Sequence, residues 1–108
     1  MAFITLNELG ENEIVPGFHG RFVHSEHVTL AFWDIDAGAT LPDHAHAHEQ
    51  IITHLVAGEF AFTLAGETRT LRAGSVVVIP GNVKHAGKAI TPCRIIDAFY
   101  PARDDYRK

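Results

Sequence analysis

The chain has 108 residues, 46% hydrophobic and 20% charged, a balance that suits one globular domain with a single core. A net charge of −4, with an isoelectric point near 6.0, leaves no basic footprint for nucleic acid or an anionic membrane. The lone Cys93 excludes an intramolecular disulfide and fits a reducing compartment, and the opening MAFITLNELGENE has neither a basic leader nor a long apolar run, so a cytoplasmic protein without a membrane partner is expected.

In chain order, FITL reads as a first short strand, and Leu6 to Glu13 can hold a helical turn. GRFVH and HVTLAFWDI follow as strands rich in β-branched and aromatic residues. Next comes HAHAHEQ, His44 to Gln50. If extended, it puts His44, His46, His48 and Gln50 on one face. EFAFTL and TRTLR form the clearest hairpin, with Gly66 in the loop where a positive φ is wanted and Phe60, Phe62 and Leu64 sharing a face. SVVVIP reads as a buried strand ended by a Pro80-Gly81-Asn82 turn, and CRIIDAFY as the last strand. The tail after Pro101 has room for one more helical turn. So many short strands predict an all-β fold, a small barrel or two-sheet jelly roll that removes exposed edges. The chain reads as one domain over 1–108, with the barrel over about 27–100, an N-terminal strand arm and a C-terminal tail.

His85 follows SVVVIPGNVK on a different strand from HAHAH, so the two segments are expected to face each other across the interior. Three imidazoles from two strands with one further side chain would leave open positions on a first-row metal, the arrangement of a catalytic site.

These segments resemble the cupins. The first cupin motif is matched by Gly38-ATLPD-His44-Ala45-His46, with Gln50 where a Glu is usual, and Gly58; the second by Gly74-SVVVI-Pro80-Gly81-Asn82-Val83-Lys84-His85. Asn82 replaces a usual Gly. Seven residues rather than six separate Gln50 from Gly58, so a one-residue bulge is required if Gln50 is the fourth ligand. The resemblance implies one divalent metal held by His44, His46, Gln50 and His85. Imidazole and amide donors suit Zn, Ni, Mn, Fe or Cu, and occupancy follows availability. Neutral ligands leave the ion's charge uncompensated, which favours a Lewis acid over oxygen activation.

A narrower resemblance spans nearly the whole chain. PGFHGRFVHSEHVTLAFWDIDAGATLPDHAHAHEQ, GETRTLRAGSVVVIPGNVKHAGKAITPCRIIDAFYPARDDYRK and the ending Asp97-x-Phe99-x-Pro101-x-Arg103-x-Asp105-Tyr106 are similar to the small cupins of the KdgF type. That resemblance implies linearisation of 4,5-unsaturated uronates to a keto-acid in pectin degradation, with a three-His, one-Gln metal. It also implies Asp97 as general acid/base with a pKa raised by the apolar barrel, Arg103 as a fork for the substrate carboxylate and Phe99 as a wall for the ring. The implied partner is a small acidic sugar. Small single-domain cupins often pair, so a homodimer is also expected.

Two other classes stay open: a different cupin enzyme, dioxygenase or sugar isomerase, and a non-catalytic module that holds a small acid. His19, His24 and His27 read as solvated or locally hydrogen-bonded, and Lys84 and Lys88 as solvated. Trp33 and Phe32 read as core or dimer surface. The spacing leaves open whether His48, Glu49 or His54 joins the site.

Overall fold

The computed structural model describes residues 2–107. The strands are β1 (Asn12–Val15), β2 (Phe18–His24), β3 (Thr29–Ile35), β4 (Thr40–His44), β5 (Glu49–Ala57), β6 (Phe60–Leu64), β7 (Glu67–Leu71), β8 (Val77–Ile79), β9 (His85–Ala89) and β10 (Cys93–Tyr100). Single 3-10 turns at Leu6–Glu8 and Asp104–Tyr106 occupy the two places where the sequence allows a helical turn. The strands form two antiparallel sheets, ordered β1-β2-β3-β10-β5-β8 and β4-β9-β6-β7, so the expected two-sheet jelly roll is the observed architecture. Among the described residues no helix is long and apolar enough to cross a membrane.

Alternation does most of the work. Along β3, Thr29, Ala31, Trp33 and Ile35 turn inward, and along β10, Cys93, Ile95, Asp97 and Phe99 do the same. β10 lies between β3 and β5 at the centre of the larger sheet, so its inward residues are covered on both sides. The opposed faces are joined by an edge-to-face contact of Phe18 with Phe60 at 6.4 Å between centroids, and within the larger sheet Phe18 meets Trp33 edge to face at 6.2 Å.

β5 pairs with β10 in a broken register. Asp97 faces Ile52 and Ile96 faces His54, which leaves Thr53 unmatched; Ile95 faces Leu55 and Arg94 faces Ala57, which leaves Val56 unmatched. The strand thus carries two β-bulges within the longer Gln50–Gly58 spacing, and the one at Thr53 changes which residues point inward, from Gln50 and Ile52 to Leu55. His54 is turned outward and exposed, away from the cavity.

Four expectations are corrected. FITL forms no strand and Phe3 is fully exposed, so composition is not matched there by burial; the first strand is instead Asn12–Val15, paired with β2. SVVVIP is not buried throughout: β8 is an edge strand, and Val76 and Val78 face outward at 59% and 64% exposure. HAHAHEQ is not one strand, since β4 ends at His44 and β5 begins at Glu49. His85 does not face His44 across the barrel; β4 and β9 are neighbours, and His44 and His85 are paired residues side by side.

The β6–β7 hairpin closes on Ala65 and Gly66, with φ of 49° and 85°, the two positive angles of a type I′ turn. At Gly66 an added Cβ meets nothing within 4 Å, whereas at Gly58, with φ of 97°, it would lie 2.2 Å from the Pro92 carbonyl oxygen. Gly66→Ala should therefore cost about 1 kcal/mol, the penalty of the left-handed backbone alone. Gly58→Ala should cost more than about 3 kcal/mol. Urea unfolding of the two variants checks the order, and equal losses would contradict it.

Candidate metal centre and cavity

His44 ends β4, His85 begins β9 beside it, and His46 stands in the loop between β4 and β5. One ring nitrogen from each lies within 4.8 Å of the others. In all three rings Nδ1 faces a backbone carbonyl two residues away: His44 to Pro42 at 2.8 Å, His46 to His48 at 2.9 Å, His85 to Val83 at 2.9 Å. A carbonyl only accepts, so each Nδ1 must be the donor and each neutral ring carries its lone pair on Nε2. Burial reinforces the neutral form by lowering the pKa of His46 and His85, against the opposing effect of those backbone bonds.

The donor set fits a cation. His85 Nε2 is buried with no hydrogen-bond partner. His46 Nε2, already unprotonated by this reasoning, lies 3.1 Å from Gln50 Oε1. An acceptor against an acceptor is repulsive, and a metal ion between them resolves the conflict. Second-row carbonyl contacts that fix the tautomer are the usual support of imidazole ligands. The Pro80-Gly81-Asn82 turn braces the loop: Asn82 donates its N–H to the His46 carbonyl at 2.6 Å, and an added Cβ on Gly81 would come within 2.7 Å of the Ala47 oxygen. Asn82 sits at φ of 64°, a conformation Asn tolerates, which accounts for its standing where a Gly is usual. His48 lies outside the three-imidazole cluster and contributes its carbonyl; Glu49 is exposed.

These groups open on an apolar cavity of about 390 Å³ that also receives Asp97, Phe99 and Arg103. Asp97 is buried at 6% exposure. Its Oδ2 accepts a hydrogen bond from the Trp33 indole N–H at 2.9 Å, while Oδ1 is buried without a partner. Burial pushes its pKa up to about 7, opposed by hydrogen bonds from Trp33 and Gln50 and by the charge of Arg103. Phe99 meets the His46 ring at 5.9 Å, edge to face. Arg103 is paired with Asp105 through Nε and Nη2 and lies over the Phe99 ring.

Trp33, which reads in the sequence as core or dimer surface, and Asp105 and Tyr106, which stand in the C-terminal motif without an assigned role, line the same cavity. The signal for Trp33 was its inward parity with Ala31 and Ile35, which reads equally well as core. The remaining histidines are locally engaged: His19 with Asp36 at 3.1 Å, His24 with Thr29 at 2.7 Å and His27 near Glu26 at 3.7 Å.

Two measurements follow from this geometry. His85→Ala should empty the centre, lowering bound metal from near stoichiometric to background by elemental analysis; retained metal would remove His85 from the ligand set. In chelated protein, Asp97 keeps its proton to about pH 7 when folded but releases it near 3.8 when unfolded, so its burial destabilises the fold progressively between those values, by up to roughly 1.4 kcal/mol per pH unit. Asp97→Asn cannot ionise. Its thermal midpoint should therefore gain on that of wild type as the pH rises from 4 to 8, and parallel profiles would contradict the assignment.

The comparisons agree with this architecture. The family model described as "Cupin domain" matches residues 31–99. KdgF from Halomonas sp. is 32% identical, with 96% of this chain and 98% of that chain covered and a TM-score of 0.89. An RmlC-like cupin from Shewanella frigidimarina is 28% identical, covered over 98% of this chain and 96% of that one, with a TM-score of 0.91. Ectoine synthase from P. lautus, 20% identical over 95% of this chain and 80% of that one, shares the fold at a TM-score of 0.83. No curated protein matches the sequence. With its two-sheet barrel, its paired histidines and the match of both motifs, the chain belongs to the cupin family, as a member that resembles KdgF.

Proposed function

We propose that the protein linearises 4,5-unsaturated uronates to a keto-acid. The observation that carries this reading is the convergence of His44, His46, His85 and Gln50 with Asp97, Phe99 and Arg103 on one apolar cavity. The similarity to KdgF over nearly the full length of both chains supports it.

The substrate is a cyclic hemiacetal whose ring oxygen is also an enol ether, with a carboxylate on the unsaturated carbon. Ring opening passes the hemiacetal hydroxyl proton to a base, breaks the bond between C1 and the ring oxygen with its electron pair going to that oxygen, and returns a proton to that oxygen, leaving an aldehyde and an enol. The enol then takes a proton on carbon and loses one from oxygen to become the ketone. The sum is an isomerisation that needs no redox partner. It does need one group that both gives and accepts a proton.

Asp97 suits that task. The Trp33 N–H engages Oδ2, and Oδ1 is the oxygen left to exchange a proton with substrate. A carboxyl with a pKa near 7 is populated in both forms at neutrality, the condition under which one residue serves as acid and base in turn. Phe99 and the apolar lining exclude water from the reacting ring, and the cavity volume of about 390 Å³ lies in the range of small-molecule sites. Arg103 supplies a cation for the substrate carboxylate. A divalent ion held by His44, His46, His85 and Gln50 would supply Lewis-acid polarisation of substrate oxygens.

The direct test follows the ultraviolet absorbance of 4,5-unsaturated galacturonate with metal-assayed protein. Its decay should be accelerated over background, and prior chelation should abolish the acceleration. Asp97→Ala should lower turnover by at least about 100-fold, in keeping with the loss of a general acid/base, while leaving metal content unchanged. Decay at the background rate with metal bound would overturn the reading.

A further inference from the structure

Arg103 offers the cavity only one edge of its guanidinium. Nε and Nη2 donate to the two carboxylate oxygens of Asp105 at 3.0 and 2.7 Å. The cation lies over the Tyr106 ring at 4.1 Å and the Phe99 ring at 4.8 Å. Tyr106 is itself fixed, stacked on Phe22 at 4.5 Å and set edge-on to Trp33 at 6.2 Å. The Arg103 backbone N–H donates at 2.8 Å to the hydroxyl of Thr29, which is fully buried. Position, plane and rotation of the group are thus all constrained.

A guanidinium has five N–H bonds arranged as two forks. Asp105 occupies the Nε/Nη2 fork; no hydrogen bond from Nη1 is present among the described residues, although the Tyr106 hydroxyl is near enough to act on the guanidinium. The Nη1/Nη2 fork therefore remains for a ligand, on a side chain only 12% exposed that lines the same cavity as the three imidazoles.

Building on the uronate reading, we propose that Asp105 is a positioning residue for carboxylate recognition: it holds Arg103 by one edge so that the other is a preformed fork for a planar monoanion. An exposed ion pair contributes little to stability, but one that fixes a nearly buried arginine shapes the binding site. The chemistry also selects among ligands. A carboxylate matches the planar fork, whereas a neutral sugar gives the fork no charge to bind. The short turn Asp104–Tyr106 is thereby a specificity element rather than a tail.

Trp33, the chain's one tryptophan, lines the cavity and reports occupancy by fluorescence. Metal-loaded full-length protein is titrated with D-galacturonate, a saturated uronate, and with D-galactose. Wild type should prefer galacturonate. Asp105→Asn should weaken galacturonate about tenfold, as expected for loss of a charge-assisted contact, and leave galactose unchanged. Arg103→Lys, which keeps the charge but loses the fork, should weaken it comparably. Asp105→Glu should recover most of the affinity. With unsaturated galacturonate, Asp105→Asn should raise KM about tenfold with kcat within about twofold. Wild-type affinity in Asp105→Asn at an unchanged thermal midpoint would overturn the proposal, as would wild-type binding that does not distinguish galacturonate from galactose. Should Asp105→Asn be too unstable to assay, undiminished binding by Arg103→Lys would overturn it equally. Selective binding of galacturonate, weakened by Asp105→Asn but without turnover of the unsaturated sugar, would support the fork and overturn the uronate-linearising reaction.

Discussion

Everything at the metal centre depends on three hydrogen bonds of one kind. Each imidazole donates from Nδ1 to a carbonyl two residues along its own chain, and this fixes both the tautomer and the direction of the Nε2 lone pair. Because the acceptors are local, the orientation is settled by backbone conformation near each histidine and does not wait on distant packing. Strand pairing then brings the rings together: His44 and His85 are partners in the β4–β9 ladder, and the Asn82 N–H ties the loop that carries His46. The result is a buried acceptor with nothing to accept from, His85 Nε2, which a bound cation would satisfy.

The carboxyl at the other side of the cavity is governed by an opposite balance. Burial disfavours its charge, while the Trp33 N–H, the Gln50 amide and the Arg103 cation favour it, and burial prevails. Without those partners a fully buried acid would be held further above its ordinary value; a direct ion pair to Arg103 would pull it down. Asp105 matters here as well as in binding, because it engages the Nε/Nη2 edge of Arg103, and the guanidinium in turn holds the Asp105 carboxyl below the usual carboxylate range. The residue that remains poised near neutrality is the one with an oxygen left free.

The parts of this arrangement visible in the sequence are those encoded by alternation and spacing. β3 and β10 announce their inward faces residue by residue, and the surplus residue between Gln50 and Gly58 announces a bulge. Alternation says which face a residue takes and nothing about its neighbour. Trp33 and Asp97 are 64 residues apart and meet only because β3 and β10 pair with Ile95 opposite Trp33, which puts Asp97 on the diagonal. HAHAHEQ misleads for a related reason: an HxHxH pattern satisfies a strand, yet its small alanines and polar rings bury too little apolar surface to keep the chain extended between β4 and β5. FITL has strand composition, yet it pairs with no strand, since composition alone does not supply a partner.

The site is divided between the two sheets. His44 and His85 belong to the smaller sheet, Gln50, Asp97 and Phe99 to the larger, His46 to the loop that crosses between them, and Arg103 to the segment after the last strand. His44, His85 and Gln50 are therefore positioned within ladders and His46 by its braced loop, while the distance from the candidate metal centre to the carboxyl is set by how the sheets pack. That packing rests on the edge-to-face chain from Phe60 through Phe18 to Trp33, and Trp33 is also the residue that holds Asp97. The same indole thus bears on the inter-sheet core with its ring and on the acid with its N–H. Core and chemistry are coupled through one side chain, which is why an aromatic that reads as packing in the sequence proves to be part of the site.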